Sequence, residues 1–395
     1  MAYTDGLSHV SYNMSEQKEI DILFALTGDV RRNSRALRQL RALAAQGFTI
    51  EVLTLGSSSE DVNLEPGIRA RVLPHPAGSG PLFFGRVHGQ FTREAMIPAS
   101  VYHASDLYAL PAMHRAAGRF GGRLTYDARE LYPHVAATTG RPWIRLFWQS
   151  VERRFIRHAD AVFTVSDGIA DRLAVTYGIP RPYVLHNVPP RRPVTRTDRL
   201  RNMADIPSDS VIVLHQGQMR KDRGCTRLVE AMQWVERAVL VFLGDGPERA
   251  SLQELANALG VQDRVSFFPA VPPDELLDVT ASADIGVTLL EDTCLNHRLA
   301  LPNKLFEYVM AGLPVLASDL PEIRHIVKLF DIGEVVDPTD ARQLAAVLQG
   351  MVDSPELRAN WSKNTPNVLR AYSWEQESVG FVETFQRLAP VGHAQ

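Results

Sequence analysis

Three short stretches of the chain concentrate residue types that can hold a phosphate group. The first is residues 301–318, LPNKLFEYVMAGLPVLAS. Pro302 can open a helix, because the amide it lacks would be unpaired there in any case. Leu305, Tyr308 and Val309 then share one apolar face, and Gly312 ends the helix ahead of a buried strand. The free amides and partial positive charge of a helix start suit a diphosphate. Asn303 and Lys304 fall in that first turn, and Lys304 adds a full charge. Glu307, about one turn further on, can accept hydrogen bonds from hydroxyl groups. The same residue types also fit an ordinary helix whose glutamate faces water.

The second stretch, residues 216–224 (QGQMRKDRG), directly follows the apolar run VIVLH. Gly217 and Gly224 bracket Gln218, Arg220, Lys221 and Arg223. Glycine permits close backbone approach, and the cations can neutralise phosphate oxygens. The order is not that of a Walker loop, since GxxxxGK[ST] is missing, and a solvated turn has the same composition. The third stretch is GDGP at 244–247, after AVLVFL. Gly244 and Asp245 make a turn that could also admit a ligand to the backbone.

The surrounding pattern says what positions these stretches. Short β-branched runs alternate with helical periodicities, which predicts parallel sheets built from βαβ units. Strands are expected at 20–26, 49–55, 68–73, 101–103, 124–126, 161–165 and 183–185, with a helix over 34–46. Residues 188–201 (VPPRRPVTRTDRLR) carry no apolar period and read as a linker. The pattern then restarts, with strands at 211–214, 238–243, 265–268, 285–289, 315–317 and 334–336 and helices over 227–235, 248–259 and much of 341–388. The predicted organisation is a first domain at 1–190, a linker at 191–204 and a second domain at 205–374. Such sheets bind ligands beyond the carboxyl ends of their strands, so two facing halves place the site in the cleft between them.

Composition bounds the rest. A length of 395 residues suits two cores better than one, and 45% hydrophobic with 22% charged residues is ordinary for a globular chain. The formal charge of −3 argues against a general nucleic-acid binder. The two cysteines, Cys225 and Cys294, form neither a disulfide framework nor a metal-spaced cluster. The polar start lacks the pattern of a secretory signal, and no stretch approaches a membrane span of ~18 apolar residues. A cytoplasmic protein is expected. Residues 141–158 (RPWIRLFWQSVERRFIRH) leave a peripheral membrane contact open, because aromatics at 143, 147 and 155 alternate with five arginines. The other expectation for that helix is an aromatic stripe packed on the first sheet.

Taken together, these segments resemble the family-four retaining glycosyltransferases of the GT-B fold, over about residues 20–385. The resemblance rests on order and interval: the glycine-basic loop at 217–224, the strand end at 244–247, the strand VSFF at 265–268, then Glu307 and AGLPVLAS at 311–318. In the first half VYHASDL (101–107), TYDARELY (125–132), ADAVFTVS (159–166) and LHNVP (185–189) are similar to family segments. The resemblance implies two Rossmann-like domains facing across a cleft, with a last helix over 375–395 packed back on the first. It implies transfer of a hexose-type sugar from a nucleotide-diphosphate donor to a glycan, lipid-linked or small-molecule acceptor, as in surface polysaccharide assembly, without cofactor or metal. Arg223 and Lys304 would meet the diphosphate, Glu307 the ribose, and the backbone at Pro269 and Ala270 the base. Gly217, Gln218, Arg220, Gly244, Asp245, Asn303 and Leu305 complete the expected donor site.

Some positions depart from the family pattern. Leu299 stands where the first glutamate of the Glu-x7-Glu motif belongs, and Gln218 replaces the usual arginine. Arg129 occupies a place often held by histidine, which leaves His103 and Asp106 as acceptor-side catalytic candidates, with Asp127 and Glu130 nearby. Two alternatives follow: a decayed nucleotide-sugar-binding or scaffolding protein, and a nucleotide-sugar epimerase on the same fold. The Gly-, Pro-, Phe- and His-rich residues 71–98 read as a loop shaping the acceptor side.

Overall fold

The alternation of apolar strands and amphipathic helices builds two sheets, each covered by helices on both faces. The structure is a computed structural model and describes residues 20–56, 61–78 and 80–389. The polar start (1–19) and the end of the expected last helix (390–395) lie outside the described residues.

The first sheet holds β1 (Ile22–Leu26), β2 (Ile50–Gly56), β3 (Val62–Glu65), β4 (Ile68–Pro74), β5 (Val101–Ala104), β6 (Arg123–Ala128), β7 (Ala161–Thr164) and β8 (Tyr183–Val184). Their order is β3-β4-β2-β1-β5-β6-β7-β8, with only β3 antiparallel to its neighbour. Helices α1 (Ser34–Ala44), α2 (Gly80–Glu94), α3 (Leu110–Phe120), α4 (Pro142–Ile156) and α5 (Asp167–Tyr177) run between these strands. The second sheet is wholly parallel: β9 (Val211–Gln216), β10 (Ala238–Leu243), β11 (Val265–Phe268), β12 (Ile285–Thr288), β13 (Val315–Ser318) and β14 (Gly333–Val336), in the order β11-β10-β9-β12-β13-β14. With it come α6 (Arg199–Met203), α7 (Cys225–Ala231), α8 (Arg249–Ala258), α9 (Pro273–Thr280), α10 (Leu295–Arg298), α11 (Asn303–Met310), α12 (Pro321–Leu329), α13 (Ala341–Asp353) and α14 (Pro355–Ala371). The chain ends with α15 (Trp374–Leu388).

Alternate residues of each strand feed opposite cores. In β9, Val213 joins one apolar layer while Ile212 and Leu214 join the other. Because both faces are covered, the central strands read as continuous apolar runs. Helix α1 starts where the Asn33 side chain accepts from the Ala36 amide at 3.0 Å, and buries Ala36, Leu40 and Leu43. Trp374, Phe381 and Phe385 of α15 enter that same first-domain layer, so the end of the chain returns across the molecule. Glu377 anchors it, accepting from the His186 amide at 2.6 Å and pairing with His186 Nδ1 at 2.9 Å.

A second bridge joins the domains. Leu295 and Leu299, in and just after α10, pack against the first core. The Leu131 amide donates to Asn296 Oδ1 (2.7 Å), Ser166 Oγ to the Leu299 carbonyl (2.6 Å), and the Gly168 amide to Glu322 Oε1 (2.9 Å).

Strand β3 and helix α6, the latter inside the expected linker, were not foreseen, and two further segments differ from the expectation. Much of the proposed loop at 71–98 is helix α2, whose Val87 and Phe91 are buried against the first core despite glycines at 80, 85 and 89. Helix α4 divides along its length. Its second half packs Trp148, Val151 and Phe155 on the core, whereas Trp143, Leu146 and Phe147 of its first half stand 67%, 58% and 59% exposed.

Candidate functional site

The carboxyl ends of β1, β6 and β8 face those of the second sheet across a cleft of about 620 Å³. First-domain lining includes Thr27, Arg32, Ser34, Arg129, Glu130 and Asn187, and Gln218 and Asn303 come from the second domain. A larger hollow of about 1140 Å³ lies at the opposite, amino end of the first sheet, against Ile50, Gly67 and Ile68, away from the strand ends where parallel sheets carry chemistry.

Helix α11 enters the cleft with Pro302 as its cap and no capping side chain. The Leu305 amide is taken by the Pro302 carbonyl (3.1 Å) and its side chain is fully buried, so Leu305 serves packing. The amides of Asn303 and Lys304 remain as the helix-end donors, two residues earlier than the expected amides near Leu305 and Phe306. Lys304 is half-buried, and its Nζ lies 3.4 Å from His215 Nε2. Burial pulls its pKa down to about 8, with Arg223 pushing the same way and Cys225 and Glu307 opposing. Glu307 accepts from Gln216 Nε2, and Thr280 Oγ1 donates to Gln216 Oε1 at 2.7 Å. Burial raises the Glu307 pKa, against the Gln216 bond and the nearby cations Arg38 and Lys304. Tyr308 clamps the helix to the sheet: its hydroxyl meets the Leu214 and Val287 carbonyls at 3.1 and 3.0 Å and the Gln216 amide at 3.1 Å.

The glycines have separate tasks. Gly217, at φ +102°, leaves its open side facing Lys304 Nζ, 3.8 Å from where a Cβ would stand. Gly244 instead packs backbone to backbone, since a Cβ there would lie 2.2 Å from the Gly217 carbonyl oxygen; Gly246 does the same against Met219. These two glycines join the loops to each other and leave Gly217 as the one that opens toward a cation. Arg223 is half-buried and Arg220 exposed; Arg223 lies under the influence of Arg220, Glu130 and Asp222. Among the described residues neither Arg223 nor Lys304 has a carboxylate within salt-bridge distance. Gln218 is exposed in the cleft wall, and Asp245 is exposed and paired with Arg249 at 2.9 Å. Pro269 and Ala270 are exposed on the loop after β11, beside the Gly244 turn, whose amide donates to the Phe268 carbonyl at 2.9 Å.

The structure takes two acceptor-side candidates out of the cleft. His103 is fully buried among Phe24, Phe163, Phe381 and Phe385, with Nδ1 2.8 Å from Thr125 Oγ1. Strand alternation explains this: Tyr102 and Ala104 feed one core of the first domain, and Val101 the other, whose rings enclose His103. Burial lowers its pKa to about 4. The unfolded chain therefore binds the extra proton between about pH 6.5 and 4, and stability is lost as pH is lowered through that window. H103F is expected to flatten that decline in melting temperature while keeping transfer at neutral pH; loss of activity with an unchanged fold would restore a catalytic role. Asp106 is also fully buried and is consumed by the loops after β1 and β5, accepting from the Thr27 amide (2.6 Å), Thr27 Oγ1 (2.7 Å) and the Ala109 amide (3.0 Å), and it pairs with Arg129 at 3.4 Å. Asp127 is locked by Arg35, whereas Arg129 and Glu130 do line the cleft.

Leu299, at the position of the absent first glutamate, faces the domain junction: its Cδ2 and Glu322 Oε1 both crowd the space beside Gly168. L299E would place a second carboxylate beside Glu322. The expected result is a loss of about 1–3 kcal/mol in stability with no gain in turnover, read by urea melts and a transfer assay.

Sequence reasoning missed Arg38, His215, Gln216, Thr280 and Asn296. Arg38 is buried, with Nε and Nη2 unpaired, over the Trp374 ring (5.7 Å) and near Glu307 and Glu377; desolvation takes its pKa to about 10. An arginine on the core-facing side of α1 was the available signal.

This arrangement, two Rossmann-like domains with a cation-lined helix start at their cleft, defines a class of sugar transferase, and comparison with known proteins agrees. Residues 33–191 match the model for the glycosyl transferase 4-like domain, and 197–368 that for glycosyl transferases group 1. The chain belongs to the family-four glycosyltransferases of the GT-B fold. A D-inositol 3-phosphate glycosyltransferase from Xylanimonas cellulosilytica is 27% identical, covering 91% of this chain and 92% of its own. The lipopolysaccharide core biosynthesis glycosyltransferase LpsD of Rhizobium meliloti is 29% identical over 50% of this chain and 54% of its own. Sucrose-phosphate synthase from Thermosynechococcus elongatus superposes with a TM-score of 0.76 at 20% identity, over 93% of this chain and 99% of its own. HepE from Anabaena, solved with UDP and glucose, gives 0.72 at 17%, over 93% and 100%.

Proposed function

We propose that this glycosyltransferase moves a hexose-type sugar from a nucleoside-diphosphate donor to a hydroxyl of a glycan, lipid-linked or small-molecule acceptor, with retention of anomeric configuration. The observation that carries the reading is the pair Arg223 and Lys304, cations without a carboxylate partner among the described residues, within each other's electrostatic reach at the start of α11. Two such charges repel and are partly desolvated, a costly arrangement that an incoming diphosphate relieves. As the anomeric C–O bond breaks, its electron pair goes to the phosphate oxygen, where Lys304, Arg223 and the Asn303 and Lys304 amides meet the charge. The acceptor oxygen bonds the anomeric carbon on the same face, and its proton passes to the departing phosphate. Glu307, held by Gln216, is placed to accept from ribose hydroxyls. The names of the relatives, acting on an inositol phosphate or in lipopolysaccharide core assembly, favour a polyol or sugar acceptor in glycoconjugate synthesis.

A thermal-shift screen of UDP, GDP and ADP and their sugars, with and without EDTA, tests the donor class. UDP comes first, since HepE was solved with it. One diphosphate that raises the melting temperature regardless of EDTA supports the reading; no response to any of them turns it down.

No described helix is long and apolar enough to cross a membrane. The exposed Trp143, Leu146 and Phe147 nevertheless share α4 with Arg145, Arg153 and Arg154, and its one acid, Glu152, is buried against Tyr126 and Tyr177. Such a face complements an anionic bilayer. It also connects to the cleft through Trp148 and Tyr108, whose rings lie 5.1 Å apart. These features support a peripheral site on the inner membrane face. Co-sedimentation with phosphatidylglycerol vesicles and its loss in F147D would support this; no binding at low salt would end it.

A further inference from the structure

The end of β9 carries a buried histidine that the reaction as described leaves unused. We propose that His215 is a positioning residue for Lys304: a neutral hydrogen-bond acceptor that fixes the ammonium at the mouth of the glycine-basic loop while leaving its charge whole for the donor's diphosphate. The inference rests on the donor reading above.

His215 is fully buried, with its ring 5.3 Å from that of Phe242. Its Nε2 lies 3.4 Å from Lys304 Nζ and 3.6 Å from Cys225 Sγ. An ammonium has three donors and no lone pair, so Nε2 must accept and the ring proton must sit on Nδ1. That nitrogen faces the Gln218 backbone without a hydrogen bond of normal geometry.

The groups facing Lys304 are Arg223 from the loop, Cys225 at the start of α7, Glu307 further along α11, and His215. No carboxylate lies within salt-bridge distance of Nζ among the described residues. A carboxylate in the place of His215 would anchor the ammonium equally well, but would cancel the charge that must meet the leaving phosphate. Neutral imidazole separates the two tasks. It also stays neutral, because burial and the Lys304 charge push its own pKa well below the ordinary histidine value. Lys304 Nζ keeps two donors, beside the open face of Gly217.

The chain has five lysines, at 18, 221, 304, 328 and 363, so 13C-dimethylation resolves Lys304 by NMR. In the free protein, H215F should lower the pH at which the Lys304 signal titrates by about one pH unit or more, through loss of an acceptor to the charged form. H215Q, whose amide oxygen can accept, should restore it. In parallel, calorimetry with the nucleoside diphosphate that binds wild type should show roughly 10- to 100-fold weaker binding in H215F and most of the affinity regained in H215Q. An unchanged Lys304 titration in H215F overturns the proposal, as does equal loss of affinity in both variants. Wild type that binds no diphosphate would overturn the donor reading instead, and the NMR titration would still decide the role of His215.

Discussion

K304M lowers turnover by roughly 100- to 1,000-fold, while the melting temperature at pH 7 stays level or rises. The two halves of this expectation have one cause. Lys304 loses its proton near pH 8 in the folded chain, against 10.5 for an ordinary lysine, because burial disfavours the ammonium. Between those values the unfolded chain binds the extra proton, so stability rises with pH across that window. Below pH 8 folding carries the whole cost of the desolvated charge. Methionine is similar in reach and uncharged, and it removes that cost, though partial exposure of the side chain trims the gain. A bound diphosphate should return the stability that the folded chain loses. kcat/KM should accordingly fall above about pH 8, while kcat holds to higher pH because the bound phosphate stabilises the ammonium. A K304M protein that is destabilised and still active would contradict both halves.

D127A should destabilise the chain by about 3–5 kcal/mol. Arg35 grips both carboxylate oxygens of Asp127, at 2.8 Å each, and Gln39 Nε2 adds a third bond at 2.8 Å. All three residues are buried. Removing the acid strands a guanidinium in the first-domain interior beneath the cleft. Arg35 also donates to the Leu185 carbonyl (2.6 Å) and to Asn187 Oδ1 (3.1 Å), so the wall carrying Asn187 loosens as well. Burial alone would raise the pKa of Asp127, but the charge and hydrogen bonds of Arg35 outweigh it and hold the value below 3.8. The pair therefore contributes its full stability above that pH and loses it as pH falls through the lowered value. The double change R35M/D127L should recover much of the loss, since no charge is then stranded. Urea melts measure all three proteins; a loss under about 1 kcal/mol in D127A would mean that the pair is solvated.

The strands of both sheets were legible because they are buried on both faces and so write themselves as unbroken apolar runs. The two-residue β8 and the neighbouring β7 came out with slightly long ends. Helix α2 was hidden by three glycines in its sequence, and tertiary burial of Val87 and Phe91 overrides their poor helix propensity. Antiparallel β3, VNLE, has no apolar alternation to announce it. Within the candidate site, Lys304, Glu307 and Arg223 could be picked out because they stand beside glycine and proline at strand ends and helix starts, where a ligand's phosphates can be met. His215 and Gln216 could not. They end an apolar strand, and their contacts run to a helix some ninety positions later. His103 misled for the opposite reason: a histidine near a strand end invites a chemical reading, and only the facing of β5 reveals that it points into the aromatic layer under α15. Leu299 reads as a lost acid in the sequence and as an interdomain packing residue in three dimensions.

The most direct test of the donor site is a crystal structure with the nucleoside diphosphate that stabilises the protein. The account predicts its terminal phosphate between Lys304 Nζ, the Arg223 guanidinium and the amides that open α11, with the ribose hydroxyls on Glu307. A diphosphate seated against the first domain, at Arg32 and Arg129, would contradict it.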